Sequence, residues 1–165
     1  MNLIHKLQQD HHYLSQVLTH LQHHLNQEAP ELALINEVLL FIEDYAEQYH
    51  HPIEDQLLSH LSQHLPHLNE MHQHLLVEHL QLQEHTDHLR EQLAQAEQGN
   101  LLPWPQLRQA VSSWISAQKH HIEKEDQHML PLLEAGLAQH PFQAAPLPKA
   151  SVYLSEQFRQ LCNEL

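Results

Sequence analysis

Cysteine is nearly absent from this chain: Cys162 is the single one among 165 residues. One thiol forms no internal disulfide and builds no thiolate-rich metal site. Glycine is almost as scarce, at 2, and β-branched residues are few, which disfavours sheet. Lysine and arginine total 7 against 21 acidic residues, giving a formal charge of -14. So sparse a basic surface argues against nucleic acid or an anionic membrane as partner. No run reaches the ~18 apolar residues needed to cross a bilayer. Met1 to Leu7 has neither a long apolar stretch nor a small-residue cleavage site, so the expected location is the cytoplasm.

What remains is rich in Leu, Gln, Glu, Ala and His, a composition for helix. The first helix is expected from about Asn2 to Gln27, its apolar face set by Leu7, Leu14, Leu18, Leu21 and Leu25. Pro30 starts the second, which carries Leu34, Val38, Ile42, Ala46, Ile53, Leu57 and Leu61. Pro52 threatens a kink near His50, but the apolar spacing resumes and the helix is expected to continue. After Pro66 the third helix carries Leu68, Met71, Leu75, Leu82, Leu89 and Leu93 and frays at Gly99–Asn100. The fourth starts near Pro103 and carries Leu107, Val111, Trp114, Ile115, Ile122, Met129 and Leu132.

Short links between such helices predict an all-α, antiparallel up-down-up-down four-helix bundle. Residues 1–137 form this domain. Residues 138–165 are an extension: a connector over Ala138 to Ala150, then a short amphipathic helix using Val152, Leu154, Phe158 and Leu161.

The chemistry lies in two spacings, His50-x-x-x-Glu54 and His121-x-x-x-Glu125. Each sets a nitrogen and an oxygen donor one turn apart on one helix face. His11 lies between Leu7 and Leu14, and His79 between Leu75 and Leu82, so both sit on apolar faces. Counted from the turns at about 1.5 Å per residue, all four helices bring these residues to one depth. His50 and Glu54 precede Pro66 by 16 and 12 residues, for example, and His79 follows it by 13. Buried carboxylates and imidazoles at one level need a cation between them. Imidazole with carboxylate suits Fe, Mn or Zn. Two ions would share Glu54 and Glu125, with a water-derived oxo or hydroxo bridge completing the pair.

Some assignments stay open at this point. His51 with Asp55 repeats the spacing of His50 with Glu54 one residue round the helix, and only one pair is expected to face squarely inward. Asp126 competes with Glu125. His72 shares a face with His79. Glu78, Glu43 and Glu47 are candidate acceptors for the remaining imidazole N–H groups. His12, His23, His24, His60, His64, His67, His85, His88, His128 and His140 read as surface residues.

The set Asp10-His11-His12, His50-His51-Pro52-Ile53-Glu54-Asp55, Glu78-His79 and His121-Ile122-Glu123-Lys124-Glu125-Asp126 resembles the hemerythrin-like, or HHE cation-binding, domain family. The resemblance covers about Met1 to Leu137. It implies that His11, His50, Glu54, His79, His121 and Glu125 are non-haem di-iron ligands, and it favours His50 with Glu54 and the choice of Glu125. Oxygen-carrying members place two histidines four residues apart on the third helix, where this chain has Leu75 and Gln83 around His79. That departure puts reversible oxygen carriage in doubt.

The expected function is therefore a cytoplasmic di-iron protein that binds or senses a diatomic ligand, oxygen or nitric oxide, or a related oxidant. It is expected to act by binding rather than by turnover, with peroxidase-like activity a weak second. The alternatives are a histidine-rich buffer or store for iron, zinc or nickel, and a regulatory bundle that pairs with a protein or with its own copy.

Overall fold

Apolar residues at three- and four-residue spacing build four long helices that pack side by side, with no strand among the described residues. The computed structural model describes residues 3–28, 30–99, 103–142 and 160. The first helix is Leu3–Leu25. The second spans residues 32–64: Leu32–Tyr45, a π turn at Ala46–His50, then His51–His64. A 3₁₀ turn at Pro66–Leu68 leads into the third, Asn69–Glu97. The fourth spans residues 104–139 as Trp104–Lys124, a second π turn at Glu125–Met129, then Leu130–Gln139. Short links make successive helices antiparallel, and the first also packs on the fourth, which closes the ring. No helix among the described residues is long and apolar enough to cross a membrane. The short helix expected within 151–165 lies outside the described residues.

The helix ends reflect local chemistry. The second helix begins at Leu32, two residues later than Pro30 suggests. His24 is buried, not at the surface, and its Nε2 accepts the Glu31 backbone N–H at 2.9 Å. That bond holds Glu31 extended, at φ -81 and ψ 117, as the residue before the helix. The third helix ends where Gly99 takes φ +81, a left-handed conformation that glycine adopts without a Cβ penalty.

Each π turn precedes a proline, Pro52 in one case and Pro131 in the other. Proline has no N–H and its ring clashes with the carbonyl four residues back. Those carbonyls, of Gln48 and Gln127, both fall inside a π turn, where the wider pitch absorbs the clash. Both helices therefore continue. The extra residue also rotates the remainder of the helix, so Leu130 and Leu133 face the core and Leu132, expected there, is exposed.

The apolar core comes in two parts. Leu14, Leu18, Leu21, Ile42, Leu89 and Trp114 belong to one cluster, and Leu7, Ile53, Leu57, Leu75, Met129 and Leu133 to the other. Along each helix the change from one cluster to the other falls at a site residue: His11, then His50 and His51, then His79, then Glu125. A buried polar layer separates them. Full burial of each large apolar side chain on either side contributes about 1.5–3 kcal/mol, and that packing holds the layer in place.

Candidate metal centre

The π turn at Ala46–His50 decides what the second helix presents. Tyr49, His50 and His51 are buried in succession, which an ordinary turn at about 100° per residue does not arrange easily. His50 and His51 therefore both face inward; as expected, only one of the two pairs does so as a pair, but His51 turns inward without Asp55. Glu54 is 0 % exposed, whereas the Asp55 side chain stays 33 % exposed and joins neither donor group. His51 was missed as a companion of His50. Its signal was present in Pro52, which marks the widened turn.

Donor atoms gather in two groups whose members lie within 4.8 Å of one another: His11, His50, Glu54 and Glu125, and His51, His79 and His121. All seven side chains are buried. The six residues anticipated from spacing thus come together, and His51 joins them. Half-buried His72 belongs to neither group, and nor does Asp126.

The two glutamates tie the groups together. Glu54 sets Oε1 3.1 Å from His50 Nε2 and 3.7 Å from His11 Nε2, and turns Oε2 to His79 Nε2 at 3.6 Å. Glu125 sets Oε2 3.2 Å from His11 Nε2, and Oε1 3.1 Å from His121 Nε2 and 3.6 Å from His79 Nε2. Each carboxylate thus offers one oxygen to each group.

Behind every imidazole stands a carboxylate from outside the layer. His11 Nδ1 is hydrogen-bonded to Asp126 at 2.7 Å. The Nδ1 atoms of His50, His51 and His121 lie 3.6 Å from Asp10, Glu47 and Glu78, and that of His79 lies 3.8 Å from Asp55. These four are ionic contacts longer than a hydrogen bond. Asp10 is itself held by Lys6 at 2.8 Å. Of the candidate acceptors, Glu47 and Glu78 stand behind His51 and His121 at ionic-contact distance, while Glu43 pairs instead with Arg90 at 2.8 Å.

The electrostatics are those of cations drawn into carboxylates. Burial opposes charge on His11, but the hydrogen bond to Asp126 and the nearby Glu125 and Glu54 carboxylates outweigh it and push the imidazole up to about 11. Burial likewise opposes charge on His50, which Glu54 and Asp10 raise to about 9. Burial would raise Glu54, yet His50 and His11 bring it down to about 2, and Glu125 also falls well below the usual range. His51 is lowered, chiefly by its burial.

Protons alone leave this layer unsatisfied. Both oxygens of Glu54, both of Glu125, and Nε2 of His79 and His121 are buried without a hydrogen-bond partner. An orphaned buried carboxylate costs several kcal/mol, roughly, so six such atoms aimed at one another fit metal ions between them. The donor set of imidazole nitrogen and carboxylate oxygen suits a first-row ion.

A void of about 10 Å³ adjoins both groups, lined by His50, His51, His121 and Glu125 on one side. Leu14, Leu18, Ile42, Ala46 and Ile122 make the rest of its wall apolar. Gln118, one turn before His121 and buried, is the one polar residue on that wall outside the donor groups. The space suits a water molecule or a diatomic ligand, since about 10–15 Å³ holds one water.

Residues 2–133 match the family model of the hemerythrin HHE cation binding domain. No curated protein and no solved structure matches the chain.

Proposed function

The chain belongs to the hemerythrin HHE cation-binding family, and on that footing we propose that it is a non-haem di-iron protein that binds or senses oxygen or nitric oxide. The observation that carries this reading is the pair of glutamates, each presenting one oxygen to each donor group. His11 and His50 would hold one ion and His51, His79 and His121 the other, with Glu54 and Glu125 shared. His11 and His50 would supply two nitrogens and His51, His79 and His121 three, so the His11 and His50 side would be the one short of a donor. When bound, the iron pair would supply reversible electron transfer and an open position for a small ligand.

The chain's own residues do the rest. Asp126 accepts the Nδ1–H of His11, and Asp10, Glu47, Asp55 and Glu78 stand 3.6–3.8 Å behind the other four Nδ1 atoms, where their charge favours a proton on Nδ1 and leaves the opposite ring nitrogen to point inward. The two apolar clusters shield the layer from bulk water toward both ends of the bundle. Gln118 offers an amide to a ligand in the void. A fifth imidazole, which the third helix does not supply at Leu75 or Gln83, would come from His51 on the second helix. We read the protein as a cytoplasmic binder of metal and gas rather than an enzyme.

The test is an optical spectrum of untagged protein, taken anaerobically and again after nitric oxide or oxygen. A bridged di-iron charge-transfer band that changes with added gas supports the reading. Protein that carries zinc or manganese and shows no spectral response refutes it.

A further inference from the structure

A cavity of about 320 Å³ opens between the third and fourth helices. Exposed His67, Glu70, His74 and His128 form its rim, and Leu75 and Met129 line its buried part. It ends on Glu125, which is 2 % exposed and has both oxygens buried without a hydrogen-bond partner. The polar layer thus has a side opening, and that opening meets it at a glutamate shared by both groups.

The donors along this wall are stepped. Glu70, His74 and Glu78 succeed one another at four-residue intervals, so each lies about 6 Å further along the helix than the last. Glu78 is the inner step, 3.6 Å from His121 Nδ1. Across the gap His128 stands one turn beyond Glu125. The one lysine lining the cavity, Lys124, is engaged by Glu78 and carries its charge there. What is left for an incoming molecule is imidazole nitrogen and carboxylate oxygen. Such a wall repels anions and suits a first-row divalent cation. Among the described residues, only the two core groups gather three or more donors within 4.8 Å. The stepped donors are therefore spaced to pass an ion along, not to keep it.

We propose that this cavity is the port through which a hydrated divalent cation enters the bundle, with His74 and His128 as transient donors and Glu70 and Glu78 drawing the ion inward. The inference rests on the reading of the core as a metal site. Glu78 is a positioning group in it: it backs His121 and anchors Lys124, so an ion at the inner step competes with that ion pair.

Two measurements test the port. First, cobalt(II) uptake by demetallated protein is monitored in stopped flow for the wild type and for the double variant His74→Ala with His128→Ala. Both positions are exposed, so the fold is expected to persist, as circular dichroism checks. Uptake is expected to slow about tenfold, equivalent to about 1.4 kcal/mol of transient ligation lost from the entry step, with final metal content unchanged. A bundle merely loosened by substitution would load faster, and an unchanged rate overturns the proposal. Second, substoichiometric manganese(II) is titrated into the protein as purified while imidazole NMR signals are watched. Signals of His74 and His128 are expected to broaden ahead of those of His12 and His23; uniform broadening overturns the port. Were the core to keep no ion at all, the core reading would fail, and the manganese titration alone would decide the port.

Discussion

His11 and His50, from different helices, bring their Nε2 atoms to 2.7 Å from each other. With one proton between them the two nitrogens share a hydrogen bond, whereas with two protons or none they repel. A metal ion removes the conflict, since two nitrogens bound at about 2.1 Å and at right angles lie about 3 Å apart. The geometry of this pair is already close to that of two neighbouring ligands. Asp126 fixes the His11 ring from behind, and its side chain is 44 % exposed, so it can be changed without emptying the core.

Asp126→Asn keeps a hydrogen-bonding group beside His11 and removes the charge. Metal affinity is expected to fall about 10- to 100-fold, the usual effect of losing such a partner. Competition with a chelator of known affinity measures it. Circular dichroism should stay unchanged.

Gln118→Leu fills the same volume without the amide. The protein should keep its full metal content. If the Gln118 amide stabilises a bound ligand by about 1 kcal/mol, nitric oxide should leave the variant about fivefold faster. Gas dissociation measured in stopped flow reads this directly, and an unchanged rate removes Gln118 from the account.

The pH dependence of the demetallated chain has a definite sign. His11 and His50 are raised, to about 11 and about 9, so their contribution is complete below the ordinary value of 6.5 and is lost as pH climbs through the folded values. Glu54 is depressed to about 2, so its contribution is present above 4.5 and is lost as pH falls through the folded value. Urea midpoints of the metal-free chain should peak between about 4.5 and 6.5 and decline on the alkaline side. The metal-loaded chain should not decline between neutrality and pH about 9, because bound imidazoles carry no inward proton to lose.

Away from the centre, Trp114 is 0 % exposed and donates Nε1–H to Thr86 Oγ1 at 2.8 Å. Thr86→Val keeps the shape and orphans a buried donor, at a cost of about 1–3 kcal/mol in urea unfolding. Thr86→Ser should recover most of it.

Much of this was legible in the sequence. Leucine spacing places the four helices, and the common depth of His11, His50, Glu54, His79, His121 and Glu125 assembles six donors that the structure brings together. What spacing did not show depends on the π turns. A regular helix of 3.6 residues per turn makes His50 and His51 rivals and puts Leu132 inside; the widened turns beside Pro52 and Pro131 make the first two companions and replace Leu132 with Leu133. Pairing of distant side chains was the other gap. Nothing local distinguishes Glu43, which meets Arg90, from Glu47, which backs His51. Similarly, His24 is buried because a loop seven residues away folds back onto it.

The most direct test of the central claim is iron per chain, by mass spectrometry on untagged protein, for the wild type and for Glu54→Ala with Glu125→Ala. Two irons per wild-type chain, and loss of both from the double variant with helix content retained, is the predicted result. Iron that stays when both shared glutamates are gone, or a wild type that holds none in an iron-sufficient culture, would contradict the account.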